Sequence, residues 1–192
     1  MARRELTGVL LVGGASRRFG SAKALARHNG TTFAEHAWGV LGAACQERVS
    51  FGKARDELAL PFPVHDDGIP VRAPLAGIVA ALRVAKNDVC VFLPVDLPYA
   101  TPELVRELGE ACRDAAVPPG SPLPGAYSRS ALPVLERRLA AGELALRDAL
   151  PELDTVTVEL EPRLLVNVNA PEDLAALSVP GSAGERGGTM LA

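Results

Sequence analysis

Residues 9–23 read Val9-Leu10-Leu11-Val12-Gly13-Gly14-Ala15-Ser16-Arg17-Arg18-Phe19-Gly20-Ser21-Ala22-Lys23, an apolar run broken by glycines and then crowded with three cations and two hydroxyls. An uninterrupted apolar run of this kind reads as a buried strand. The segment after it is suited to a polyphosphate. Glycines let backbone N–H groups approach phosphate oxygens, while Arg17, Arg18 and Lys23 neutralise charge. The plainer alternative is a strand-to-helix turn with a solvated basic face.

Two familiar phosphate motifs are excluded. A Walker A loop needs Lys and then Ser or Thr directly after its last glycine, whereas Gly20 is followed by Ser21-Ala22-Lys23. A dinucleotide fingerprint needs three glycines in G-x-G-x-x-G spacing, which Gly13, Gly14 and Gly20 do not supply.

The 192 residues suit one α/β domain, and 48% apolar content argues for a packed core. A net charge of −3 gives no overall basic field, so neither nucleic acid nor an anionic membrane is expected as a partner. Cys45, Cys90 and Cys112 are widely spaced and odd in number, which reads as buried reduced thiols in a cytoplasmic protein. His28, His36 and His65 lack metal-ligand spacing. No apolar stretch reaches the ~20 residues of a membrane span.

Further along, strands and helices alternate. Phe33 to Cys45 carries apolar residues at helical spacing, with Thr31 or Thr32 placed to cap it and Glu35 near the third position. Phe62 to His65 reads as a short strand ending at Asp66-Asp67, and Pro74 to Val84 as a helix opened by proline. Asp88 to Pro98 holds the most strand-like run. Thr101 and Pro102 open a helix expected to reach about Ala115. Val117 to Gly125 shows no usable periodicity, while Ser130 to Ala141 and Leu146 to Leu150 read as helices. Thr155 to Leu160 and Leu164 to Asn169 read as strands, and Pro171 to Leu174 starts a last helix. The reading is a single Rossmann-like α/β domain over 1–177, with a mostly parallel twisted sheet covered by helices on both faces. Residues 178–192 read as a flexible tail.

In such folds ligands collect beyond the carboxyl ends of the strands. The segment after Val12, Asp66 after Val64, Asp96 after Leu93, and Asn167 with Asn169 all fall at expected strand ends, which predicts one cleft. Asp96, between two prolines, is placed to ligate Mg²⁺, an ion that takes one or two carboxylates and completes its shell with phosphate oxygens and water. The competing role, capping the next helix, is already filled by Thr101. Asp66 reads equally as a ligand for a ribose or base and as a turn residue before Asp67-Gly68. No nucleophile elbow or reactive-cysteine setting stands out. Phosphoryl-type transfer needs mainly positioning and charge stabilisation, and an attacking phosphate is already ionised.

These residues resemble the MobA-like molybdenum cofactor guanylyltransferases of the wider nucleotidyltransferase group, over almost the whole chain to about Leu177. Leu11 to Lys23 is similar to the family signature, Pro74-Leu75-Ala76-Gly77-Ile78 to its second block, and Pro94-Val95-Asp96-Leu97-Pro98-Tyr99 to its metal-binding block. Asn167-Val168-Asn169-Ala170-Pro171-Glu172-Asp173-Leu174 is similar to its C-terminal block. The resemblance implies transfer of GMP from GTP to the terminal phosphate of molybdenum-loaded molybdopterin, with Mg²⁺ and release of pyrophosphate. It implies that the backbone of Leu11, Val12 and Gly13, with Asp66, holds the guanosine. Lys23 grips the phosphates, Asp96 holds the metal, and Arg17 neutralises the triphosphate. Asn167 and Asn169 lie on the molybdopterin side, and molybdoenzymes or their chaperones are implied as recipients. Gly14 matches the guanylyl form of the signature.

The chain departs from the family in two places. Ser50-Phe51-Gly52-Lys53 stands where an asparagine is common, and Ser121 where Gln or His commonly precedes Pro-Leu. These departures keep other readings open: a molybdopterin cytidylyltransferase, a phospholactate guanylyltransferase, or a GTP-binding protein without turnover.

Overall fold

The apolar run at the head of the chain forms β1 (Leu6–Leu11), buried at every position. Its side chains alternate between two cores: Leu6 and Leu10 face one, Val9 and Leu11 the other. The computed structural model describes residues 3–12, 23–28, 30–53, 56–169 and 173. The expected domain boundary at 177 and the tail lie outside them, as does the last helix except for Asp173.

The unforeseen two-residue strands β2 (Arg27–His28) and β3 (Thr31–Thr32) pair antiparallel and lead into α1 (Phe33–Ala44). The start of α1 is a reciprocal capping box: the Glu35 N–H donates to the Thr32 hydroxyl at 3.1 Å, and the Glu35 carboxylate accepts the Thr32 N–H at 2.8 Å. Next come β4 (Glu47–Gly52), β5 (His65–Asp66) and α2 (Pro74–Val84), whose bounds match the sequence reading. β6 (Val89–Pro94) leads through a turn to α3 (Pro102–Ala111), whose Thr101 hydroxyl accepts the Leu104 N–H at 3.3 Å. The chain continues as β7 (Ala115–Val117), β8 (Gly125–Ser128), α4 (Leu132–Ala140) and β9 (Thr155–Thr157).

Among the described residues the main sheet has seven strands in the order β5-β4-β1-β6-β8-β7-β9. β5, β4, β1 and β6 run parallel, and β8 is antiparallel to both its neighbours. From β1 the chain steps outward to β4 and β5, then returns across β1 to β6. In open α/β sheets such a reversal marks where ligands bind, which here is at the carboxyl ends of β1 and β6. Helices α1 and α3 cover one face and α2 and α4 the other, so the mostly parallel, two-sided sheet is as expected. Gly8 permits this closeness on the α1 side: a Cβ there would lie 2.9 Å from Leu41 Cβ and 3.2 Å from Cys45 Sγ. No helix of the described residues is long and apolar enough to cross a membrane.

Several boundaries differ from the sequence reading, among them Leu146–Leu150, which is a 3₁₀ helix running on through Glu152, and Ser130–Ala141, where a 3₁₀ turn precedes α4. Leu164–Asn169 is not a strand. Pro162 opens a 3₁₀ turn through Leu165, and the Val168 N–H donates to the Asp96 carbonyl at 3.0 Å instead of to a sheet neighbour. α3 stops at Ala111 because the chain turns extended at Cys112, and Ala115 already pairs in the sheet. The strand expected at Phe62–His65 is reduced to His65–Asp66. Pro63 has no N–H to give a ladder, and its carbonyl accepts from the buried Ser50 hydroxyl. β9 ends at Thr157, although the Val158 N–H still reaches the Val117 carbonyl at 2.9 Å.

Candidate active site

The two central parallel strands deliver their ends side by side, with Leu11 in register with Pro94. Two residues past Pro94, in the turn that α3 closes, stands Asp96. Lys23 opens a short 3₁₀ turn (Lys23–Leu25), and its ammonium lies 3.2 Å from Asp96 Oδ2 and 3.0 Å from Asn169 Oδ1. Residues far apart in the chain thus converge on one ammonium. Both members of the ion pair are largely buried, with side chains 14% and 24% exposed, so their attraction is less screened than at an open surface.

The segment bearing Asn169 is fastened on both sides. The Val168 N–H holds the Asp96 carbonyl, and the Asn169 N–H donates to Asp173 Oδ2 at 2.7 Å. Arg163, four residues before Asn167, lays its guanidinium 4.9 Å from the ring centre of Tyr99, three residues after Asp96. This cation–π contact has no signature in the sequence. Asn167 is exposed, and the amide that meets Lys23 is that of Asn169. The structure therefore brings Asn169, not Asn167, against the lysine.

Leu11 and Val12 are buried at the end of β1. The Val12 N–H is engaged by the Phe51 carbonyl at 2.9 Å, so that donor is already used within the fold. Asp66 lies two strands beyond β1, where its Oδ1 accepts the Gly68 N–H at 2.7 Å. Its turn role is therefore real. The ends of β5 and β6 are three strand spacings apart, roughly 14 Å, a span that suits an extended nucleotide. Arg17, Gly13 and Gly14 lie outside the described residues.

Asp96 Oδ1 is buried and has no hydrogen-bond partner among the described residues. A buried carboxylate oxygen left this way is costly unless a cation or donor joins it. The residues present therefore fit a divalent cation. The described residues hold no cluster of three or more His, Cys, Asp or Glu able to cage a metal. The arrangement suits an ion such as Mg²⁺, which uses one or two carboxylates with substrate phosphates.

A doubly covered α/β sheet that gathers a lysine, a carboxylate and an amide at the ends of its central strands has the layout of a nucleotide-handling enzyme. The MobA-like NTP transferase domain matches residues 8–156, and the chain belongs to that family, as a nucleotidyltransferase. A probable molybdenum cofactor guanylyltransferase of Deinococcus radiodurans is 39% identical, the match covering 92% of this chain and 95% of the relative. A molybdenum cofactor guanylyltransferase of Burkholderia vietnamiensis is 32% identical, with 91% and 96% covered. The crystal structure of molybdopterin-guanine dinucleotide biosynthesis protein A from Archaeoglobus fulgidus superposes with a TM-score of 0.76 at 25% identity, covering 88% of this chain and 95% of that one.

Proposed function

We propose that this nucleotidyltransferase transfers GMP from GTP to the terminal phosphate of molybdenum-loaded molybdopterin, giving the guanine dinucleotide form of the cofactor and pyrophosphate. The observation that carries the reading is the convergence of Lys23, Asp96 and Asn169 at the ends of β1 and β6. The guanylyltransferase relatives support the identities of donor and acceptor.

The acceptor phosphate is ionised at neutral pH and attacks the α-phosphorus directly, so no general base is required. A P–O bond forms to the acceptor, and the bond from the α-phosphorus to the bridging oxygen breaks as pyrophosphate leaves. Lys23, with Arg17, neutralises charge on the triphosphate during this displacement. Asp96 would hold Mg²⁺, which when bound supplies positive charge to the phosphate oxygens. Asp66, with the Leu11–Gly13 backbone and Gly14, holds the guanosine. Asn169 and Asn167 face the acceptor. Val168 and Arg163, by fastening their segment to the Asp96 turn, keep donor and acceptor sites in one frame. The enzyme would work in the cytoplasm and pass its product to molybdoenzymes or their chaperones.

Incubation with Mg²⁺, molybdopterin and each radiolabelled nucleotide tests the reading. GTP should be consumed with release of pyrophosphate. Preference for CTP would defeat the guanylyl assignment, and tight GTP binding without pyrophosphate release would defeat the transferase.

A further inference from the structure

Lys53 is the one described lysine whose side chain is nearly sealed from solvent, at 7% exposure, and its ion-pair partner Asp67 is sealed to the same degree. The ammonium reaches Asp67 Oδ1 and the Ile69 carbonyl, both at 2.5 Å. Asp67 Oδ1 also accepts the Ile69 N–H at 3.0 Å, and Gly68 between them has a φ of +71°, which favours glycine. The lysine thus clamps a tight turn whose first residue is Asp66. The backbone places it there: Gly52 pairs with Asp66 across β4 and β5, and Lys53 comes directly after Gly52.

From this geometry we propose that the Lys53–Asp67 pair is a positioning device for nucleotide-base recognition, acting through Asp66. The inference rests on the reading of Asp66 as a guanosine contact. Lys53 does not itself meet the nucleotide, since its buried ammonium is occupied by two acceptors of the turn. It fixes where the Asp66 carboxylate stands relative to the end of β1, two strands away. β5 has only two residues of ladder to do so, too few to hold a carboxylate to the tolerance that base discrimination requires. A buried ion pair adds little net stability over an apolar pair, so a role in specificity gives this one a reason to exist.

The test compares the wild type with Lys53→Met, Lys53→Arg and the double variant Lys53→Met/Asp67→Asn. GTP and CTP binding are followed by calorimetry, and GTP-dependent pyrophosphate release is followed at saturating acceptor. Lys53→Met should raise the KM and Kd for GTP by about tenfold or more and shrink the GTP-over-CTP preference alike, with kcat within about threefold. Lys53→Arg should restore most of the preference. Should Lys53→Met fail to fold because Asp67 is stranded, the double variant leaves no unpaired buried charge and carries the same expectation. Folded variants that discriminate GTP from CTP as the wild type does would overturn the inference and leave the transferase intact. A wild type that binds no GTP would overturn the transferase reading itself, and this inference with it.

Discussion

The Lys23 ammonium and the Asp96 carboxylate stand 3.2 Å apart although 73 residues separate them in the chain. The contact is made possible by β1 and β6 being adjacent and parallel, so that the segments leaving both strands emerge at the same edge. Under the proposed function the two groups have opposite tasks near a triphosphate: the cation would meet its oxygens and the anion would hold the metal that accompanies it.

Replacing Asp96 separates that role from any structural one. Asp96→Ala should abolish Mg²⁺-dependent turnover while the thermal midpoint stays within a few degrees of the wild type. The side chain belongs to neither hydrophobic core and its Oδ1 has no hydrogen-bond partner among the described residues, so its loss removes no packing from either core. Pyrophosphate release and circular dichroism melting, measured on the same preparation, check it. Near-normal turnover would remove Asp96 from the metal site.

Legibility from residues alone differs from element to element. α2 and the caps of α1 and α3 are readable because proline, threonine and glutamate act locally. β8 is not, since Gly-Ala-Tyr-Ser is strand only because it lies between β6 and β7. For Asn169 the sequence predicts the cleft for a partly wrong reason. Its spacing reads as a strand end, whereas it stands on a non-sheet segment hung from the Asp96 carbonyl. The Lys53–Asp67 clamp leaves no signal, because it depends on a β4–β5 register that no periodicity reveals.

Lys23→Ala should lower turnover by about 10²-fold, the scale for losing one contact to developing charge. It should also weaken GTP binding, because in the proposed role the lysine would contact phosphate in the ground state as well. Steady-state kcat and KM measured together check this, and an unchanged kcat/KM would take Lys23 out of the reaction.

Gly8→Ala should destabilise the fold by about 1–3 kcal/mol through overpacking. The added methyl meets Leu41 Cβ, which cannot swing aside as a side-chain tip does, and the Cys45 sulfur. Urea denaturation should show a lower midpoint at unchanged slope. By contrast Thr101→Ala, which removes the cap of α3 without adding volume, should cost about 1 kcal/mol.

The three cysteines make stability depend on alkaline pH. Burial pushes the Cys45, Cys90 and Cys112 thiols from 9.0 up to about 12, and burial raises the Tyr127 hydroxyl as well. Each group therefore holds its proton in the folded state after the unfolded chain has released it. Their contribution is complete below the unfolded value and is lost as pH rises from 9.0 toward about 12. Urea midpoints should accordingly fall steadily above pH 9. Because the thiolate is the reactive form, a thiol reagent should label the folded protein far more slowly at pH 8 than it labels the urea-unfolded chain. Rapid labelling of native Cys90, whose side chain lies under α2 in the core, would mean that this face of the sheet opens readily.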